Sequence, residues 1–142
     1  MIASAVLISS CTSAQSKDEY VETVDRIQLK AVTAMNQTVG DTAPDAKTQT
    51  AQLEASEAVL NAAIDELESV DIPEEAQQGH DELVRGFEDL RKLFKQTAAE
   101  VKDTESTGDF FDAMSKFSTK SAVVGADLDE AITQINNDLG AE

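Results

Sequence analysis

Two side chains stand out as able to do chemistry: the single cysteine of this 142-residue chain, Cys11, and its single histidine, His80. A lone cysteine cannot close an intramolecular disulfide. It cannot supply a CxxC metal or redox motif or a CxxCH haem attachment either. His80 could ligate a metal or a haem, or act as a general base, but each role needs company. A di-iron carboxylate bundle needs two ExxH pairs; here the residue three before His80 is Gln77, and no second histidine exists. A haem held by a Met–His pair needs a methionine opposite the ring, and the sequence alone does not place Met35 or Met114 there. No GxSxG or SxxK nucleophile motif occurs, and there is no glycine-rich phosphate loop. Asp41-Thr-Ala-Pro-Asp45 lacks the spacing and the glycine of a calcium loop. His80 is therefore a candidate ligand-binding residue, set against the plainer reading of a half-buried histidine bonded to a neighbouring helix or loop. No catalytic residue, metal site or cofactor is expected.

The surroundings of Cys11 carry more. Residues 1–10 have no charged side chain, and Ile2, Ala3, Ala5, Val6, Leu7 and Ile8 form a short apolar core. That run is far short of the ~20 residues a membrane span needs. Small residues follow, as a signal peptidase requires, and after Cys11 the chain turns to Thr12-Ser13-Ala14-Gln15-Ser16-Lys17, a linker composition. Ile8-Ser9-Ser10-Cys11 resembles the lipobox of bacterial lipoproteins. The resemblance implies removal of residues 1–10 as a signal peptide, diacylglycerol or palmitate on the Cys11 thiol, a tether over 11–17 and a folded part over 18–142. It places the protein on the extracytoplasmic face of the cell membrane. The leader departs from the pattern in opening Met1-Ile2-Ala3 without Lys or Arg. The alternative is a cytosolic protein with an apolar N-terminus and a free thiol.

Charge narrows the partners. Eleven Lys and Arg against 28 Asp and Glu give a net charge of −17. Nucleic-acid binding needs basic patches that displace phosphate counterions, so nucleic acid is excluded as a partner. The same charge keeps the body off an anionic lipid surface. Residues 41–75 hold ten acids against Lys47 alone, whereas residues 76–105 hold seven acids and five bases. The second segment is thus the expected neighbour of the first. The acidic run reads as a solvated helix face, with cation binding as the alternative.

Helix formers dominate, and no strict period-2 alternation occurs. The first helix is expected from Asp18 to about Val39, with Tyr20, Val24, Ile27, Ala31, Met35 and Val39 on one stripe and Gly40 just past its end. The second begins near Pro44, with Thr42 or Ala43 before it and Asp45 in its first turn. Its stripe is Leu53, Leu60, Ile64 and Leu67 with Ala51, Val59 and Ala63. Pro73 opens the third helix, which runs to about Asp103 with a nearly coiled-coil stripe: Ala76, His80, Leu83, Phe87, Leu90, Phe94, Ala98 and Val101. Asp81–Arg85 and Glu88–Lys92 are expected ion pairs on its outer faces, and Gly86 sits in mid-helix, where a close helix approach or a bend would explain it. Thr107 or Asp109 caps the fourth helix, whose stripe is Phe110, Met114, Phe117, Ser121, Val124, Leu128, Ile132, Ile135 and Leu139 before Gly140. The expected fold is all-α: an antiparallel up-down four-helix bundle behind a short leader. A three-helix bundle with a loose first helix is the alternative. With helices 3 and 4 the longest, one end of that pair is expected to be thinly covered.

The stretch Leu67-Glu-Ser-Val-Asp-Ile-Pro73, followed by His80-Asp-Glu-Leu83 and Phe87, is similar to small helical lipoproteins of Gram-positive, particularly actinobacterial, bacteria. The resemblance spans roughly residues 1–11 and 60–95. It implies a membrane-anchored bundle and supplies no reaction. The function expected from these readings is a non-enzymatic adaptor or interaction module at the cell envelope, with an envelope protein as partner. The alternative is an extracytoplasmic lipoprotein that binds a cation or small molecule.

Overall fold

The computed structural model describes residues 16–39 and 45–140. The leader, Cys11, most of the tether, Gly40, Pro44 and the side chain of Val39 lie outside the described residues. Four helices follow in order: α1 (Lys17–Val39), α2 (Ala46–Glu68), α3 (Gln77–Lys102) and α4 (Thr107–Leu139), with a short 3₁₀ turn over Glu74–Ala76 ahead of α3. There is no strand among the described residues.

All four helix starts differ from expectation, and three of them are set by side-chain caps. Ser16 and Glu19 form a reciprocal capping box: the Glu19 backbone N–H donates to Ser16 Oγ at 3.2 Å, and the Ser16 N–H to Glu19 Oε2 at 3.2 Å. The first helix therefore takes in Lys17, which the tether was expected to hold. Asp45 is the N-cap of α2 rather than a member of its first turn, accepting from the Thr48 backbone N–H at 2.8 Å. That bond, joined by the Thr48 hydroxyl, holds the Asp45 carboxyl below its usual range. Pro73 precedes the 3₁₀ turn instead of opening α3, because its carbonyl accepts from Ala76 in a tight turn at 3.0 Å. Ser106 caps α4 in place of Thr107 or Asp109; the Asp109 N–H donates to its hydroxyl at 3.2 Å. Gly140 ends α4 at φ 67°, a left-handed conformation that costs glycine little.

The helices pack as an antiparallel bundle, and cross-seam pairs run in opposite order along the chain. Lys17 meets Glu75 at 2.9 Å and Lys30 meets Glu66, joining α1 to α2 and its following turn. Arg91 donates to Asn61 at 3.0 Å across α2 and α3. Gly79 faces Ile135, Gly86 faces Leu128 and Phe94 meets Phe117 edge-on at 4.9 Å across α3 and α4. The acidic second segment packs against the third, as the charge distribution suggested, while the cross-helix ion pairs that reach it come from Lys17 and Lys30 of α1. The two ion pairs expected on α3 do not form; Lys92 pairs with Asp89 at 3.0 Å, and Asp81 accepts from Gln77. On an exposed helix face the i+3 and i+4 partners compete at little energetic difference.

The packed seams are consecutive: α1 on α2, α2 on α3 and α3 on α4. No seam of comparable extent joins α1 to α4 among the described residues. The inner pair therefore buries wide faces, including the whole predicted α3 stripe from Ala76 to Val101. On α1 the predicted Tyr20, Val24, Ile27 and Ala31 are buried, which makes this helix a packed member of the bundle. On α4 only Ala113, Phe117, Ala131 and Ile135 are fully buried; Val124, Leu128 and Ile132 are half-buried. Thin cover is found along the middle of α4, not at one end of the long pair. Gly86 works as expected, since a Cβ there would sit 2.5 Å from Leu128 Cδ2. Gly79, one heptad earlier, does the same against Ile135 and was not foreseen.

Candidate functional site

His80 lies in the first turn of α3, which the Pro73 turn sets beside the end of α2. The first turns of α1 bring Tyr20 to the same corner. His80 is 2% exposed and Tyr20 0%. Tyr20 Oη lies 2.8 Å from His80 Nδ1, and the ring centroids are 5.8 Å apart at 51°. The histidine ring also hydrogen-bonds the Leu67 backbone carbonyl. A carbonyl only accepts, so the ring nitrogen facing it carries a proton; with Nδ1 taken by the tyrosine, that nitrogen is Nε2. Nδ1 is then the lone-pair nitrogen, and the Tyr20 hydroxyl donates to it. One neutral tautomer satisfies every polar atom of the pair.

Burial holds His80 below its ordinary pKa, outweighing the adjacent Asp81 and the Leu67 carbonyl, which push it up. Burial likewise pushes the Tyr20 phenol up to about 12. Both groups are uncharged at neutral pH.

This arrangement limits the chemistry. With both nitrogens bonded inside the protein, the ring has no lone pair for a metal and no free base for a substrate unless Tyr20 moves away. A shallow groove passes the ring, lined by Glu68, Ile72, Asp81, Val84 and Arg85. Met35 lies some four turns along α1 from Tyr20, and Met114 lies toward the Phe94–Phe117 end of the bundle. The fold therefore sets both methionines apart from His80. Among the described residues, no three or more His, Cys, Asp and Glu side chains are arranged to hold a metal ion. A second, almost wholly apolar cleft of about 120 Å³ lies between α1 and α2 under the Lys30–Glu66 ion pair, against Ile27, Ala31, Val59 and Ala63. Cys11, the candidate lipid-attachment residue, is outside the described residues, and no described helix is long and apolar enough to cross a membrane.

Tyr20 was read from the sequence only as a stripe residue. A signal for its role existed: it is the sole tyrosine, on an apolar stripe, and a buried tyrosine hydroxyl needs a partner. The sole histidine lies on another stripe.

No protein-family model, no curated protein and no solved structure matches this chain.

Proposed function

We propose that this chain is a lipid-anchored, helical-bundle lipoprotein on the extracytoplasmic face of the cell membrane, held through Cys11, and that it serves as a non-enzymatic adaptor or interaction module for an envelope protein. The location rests on Ile8-Ser9-Ser10-Cys11 and the switch to a linker composition after it. The observation that carries the interaction role is where the polar and apolar groups lie. The buried pair that could do chemistry satisfies itself, while large apolar side chains stand out on the two outer helices: Leu29 and Val32 on α1, Phe111 and Val123 on α4. Leu29 and Val32 stand one turn apart on the same face of α1, and adjoining exposed apolar groups mark interfaces where single ones do not.

Mass spectrometry of the native protein tests the anchor. A diacylglyceryl Cys11 at the N-terminus is expected, and Cys11→Ala should release the protein to the soluble fraction; an intact Met1 with a free thiol refutes the anchor. In-cell cross-linking from positions 29 and 123 tests the interaction role, which requires a discrete protein adduct. The second reading, a cation or small-molecule binder, is favoured by the acid-lined groove beside His80. It predicts a stoichiometric site in titration calorimetry that disappears in His80→Gln.

A further inference from the structure

Two side-chain links from the start of α1 reach past α2. Lys17 reaches Glu75 in an ion pair exposed on both sides, and Tyr20 reaches His80 in a buried hydrogen bond to α3. Beyond these, the packed seam of α1 is with α2. Partway along the helix, Gln28 Nε2 is buried with no partner among the described residues. A helix attached on one side belongs to the low-stability end of a protein's opening motions.

We propose that Tyr20 and His80 form an acid-sensitive clasp: adding one proton to His80 unseats Tyr20 and frees the N-terminal half of α1, while α2, α3 and α4 stay packed.

The proton count drives this. In the closed state the Tyr20 hydroxyl donates to Nδ1, and Nε2–H donates to the Leu67 carbonyl. Protonation turns Nδ1 into a second donor facing a donor. The tyrosine oxygen can rotate to accept, but its own proton is then left in a fully buried place, where Nδ1 was its partner. An unsatisfied buried donor beside a buried cation is costly. The charged groups around the ring do not remove that cost. Asp81 on α3 favours the cation, and Glu68 from the end of α2 and Arg85 of α3 line the adjoining groove with opposite charges. Lys17 and Glu75 neutralise each other nearby. α4 meets the residue before His80, Gly79, through the uncharged Ile135. Net desolvation lowers the histidine pKa in the closed state. In the released state the exposed ring returns to its ordinary value near 6.5, so protons bind the released state more tightly and acid favours opening. The clasp does not depend on the lipid anchor or on the identity of any partner.

The chain contains its own reporters: Tyr20 is the only tyrosine, there is no tryptophan, and His80 is the only histidine. Tyrosine emission therefore reads one end of the clasp, and the imidazole C2–H resonance reads the other. On the full chain, acrylamide quenching of Tyr20 should rise several-fold between pH 7 and pH 5, with a midpoint below about 6.5 that matches the His80 titration. Helical circular dichroism should fall by no more than the share of α1. In His80→Gln the quenching should no longer depend on pH over that range. Three results would each overturn the proposal: His80 titrating without any change at Tyr20, quenching that rises only with global loss of helix, or the same pH response in His80→Gln. If that variant does not fold, the match or mismatch of the two wild-type titrations decides.

Discussion

α1 and α4 are both outer helices laid against the same inner pair, yet opposite means hold them. Adjacent residues of α3 do the two jobs. Gly79 has no side chain, and so lets the α4 backbone come within van der Waals contact, with Ile135 N only 3.2 Å from where a Cβ would be. His80 has a polar ring that reaches α1 and bonds Tyr20. At this point the α4 seam closes over an absent side chain. The α1 seam, apolar along α2, carries here a hydrogen bond to α3 that a proton on His80 would disturb. An amphipathic stripe alone gives no sign of that difference.

The comparison can be broken at its base or sharpened at either seam. The largest effect should come from Phe87→Ala in the shared inner pair, where the side chain is 4% exposed. It should cost ~3–5 kcal/mol, enough to unfold much of a marginally stable domain, and chemical denaturation measures it. A loss under ~1 kcal/mol would mean that the inner pair is not the common support. Next comes Gly79→Ala. Its methyl would lie 2.7 Å from Ile135 Cγ1 and 3.4 Å from the Ala131 carbonyl, so buried groups and helix backbone must shift. A net loss of ~1–3 kcal/mol follows. Gly86→Ala, one heptad on, meets only the side chain of half-buried Leu128, at Cδ2 and Cγ, and no backbone, so that side chain can turn aside. There the ~1 kcal/mol that alanine gains over glycine in a helix should bring the change to within ~1 kcal/mol of neutral. Equal losses at the two glycines would disprove the distinction.

Tyr20→Phe should cost ~1–2 kcal/mol, because Nδ1 is left buried without a donor. It should also change the alkaline limb of the stability curve. The tyrosine pKa is about 12 in the folded protein against an ordinary 10. The native state therefore keeps a proton that the unfolded chain gives up, and stability falls as pH rises from 10 toward 12. That fall should be missing in Tyr20→Phe when thermal melts are compared across the range. The smallest effect should be Lys30→Ala. Its ion pair with Glu66 is 65% and 39% exposed, and such pairs contribute ~0.5 kcal/mol or less. A larger loss would mean that α1 is held by charge more than by its apolar stripe.

The sequence made α3 readable because large side chains recur there at spacings of three and four, and every one of them is buried. The α4 stripe is just as regular, and none of it points outward, yet most of it is only half-covered. Periodicity says which side of a helix faces inward; it does not say how many neighbours stand on that side. Ser16 and Ser106 each precede an acid by three residues, a legible capping pattern, but their neighbours competed for the same role. The Tyr20–His80 bond joins residues 60 apart, and local sequence carries no information about which stripes will meet. Nothing in the sequence around Gly79 shows its use, which depends on Ile135 of α4.

The consecutive seams also bear on how the chain reaches this state. Each helix packs on the next one along, and among the described residues no extensive contact ties the first to the last. Native contacts of this kind close short loops, which favours folding on the microsecond-to-millisecond scale typical of helical bundles. The hairpin of α2 and α3, the most extensive seam, should nucleate folding, and φ-value analysis should find its highest values around Leu60, Leu83 and Phe87. The outer helices would then dock late from either flank, so that changes in α1 or at Gly79 accelerate unfolding more than they slow folding.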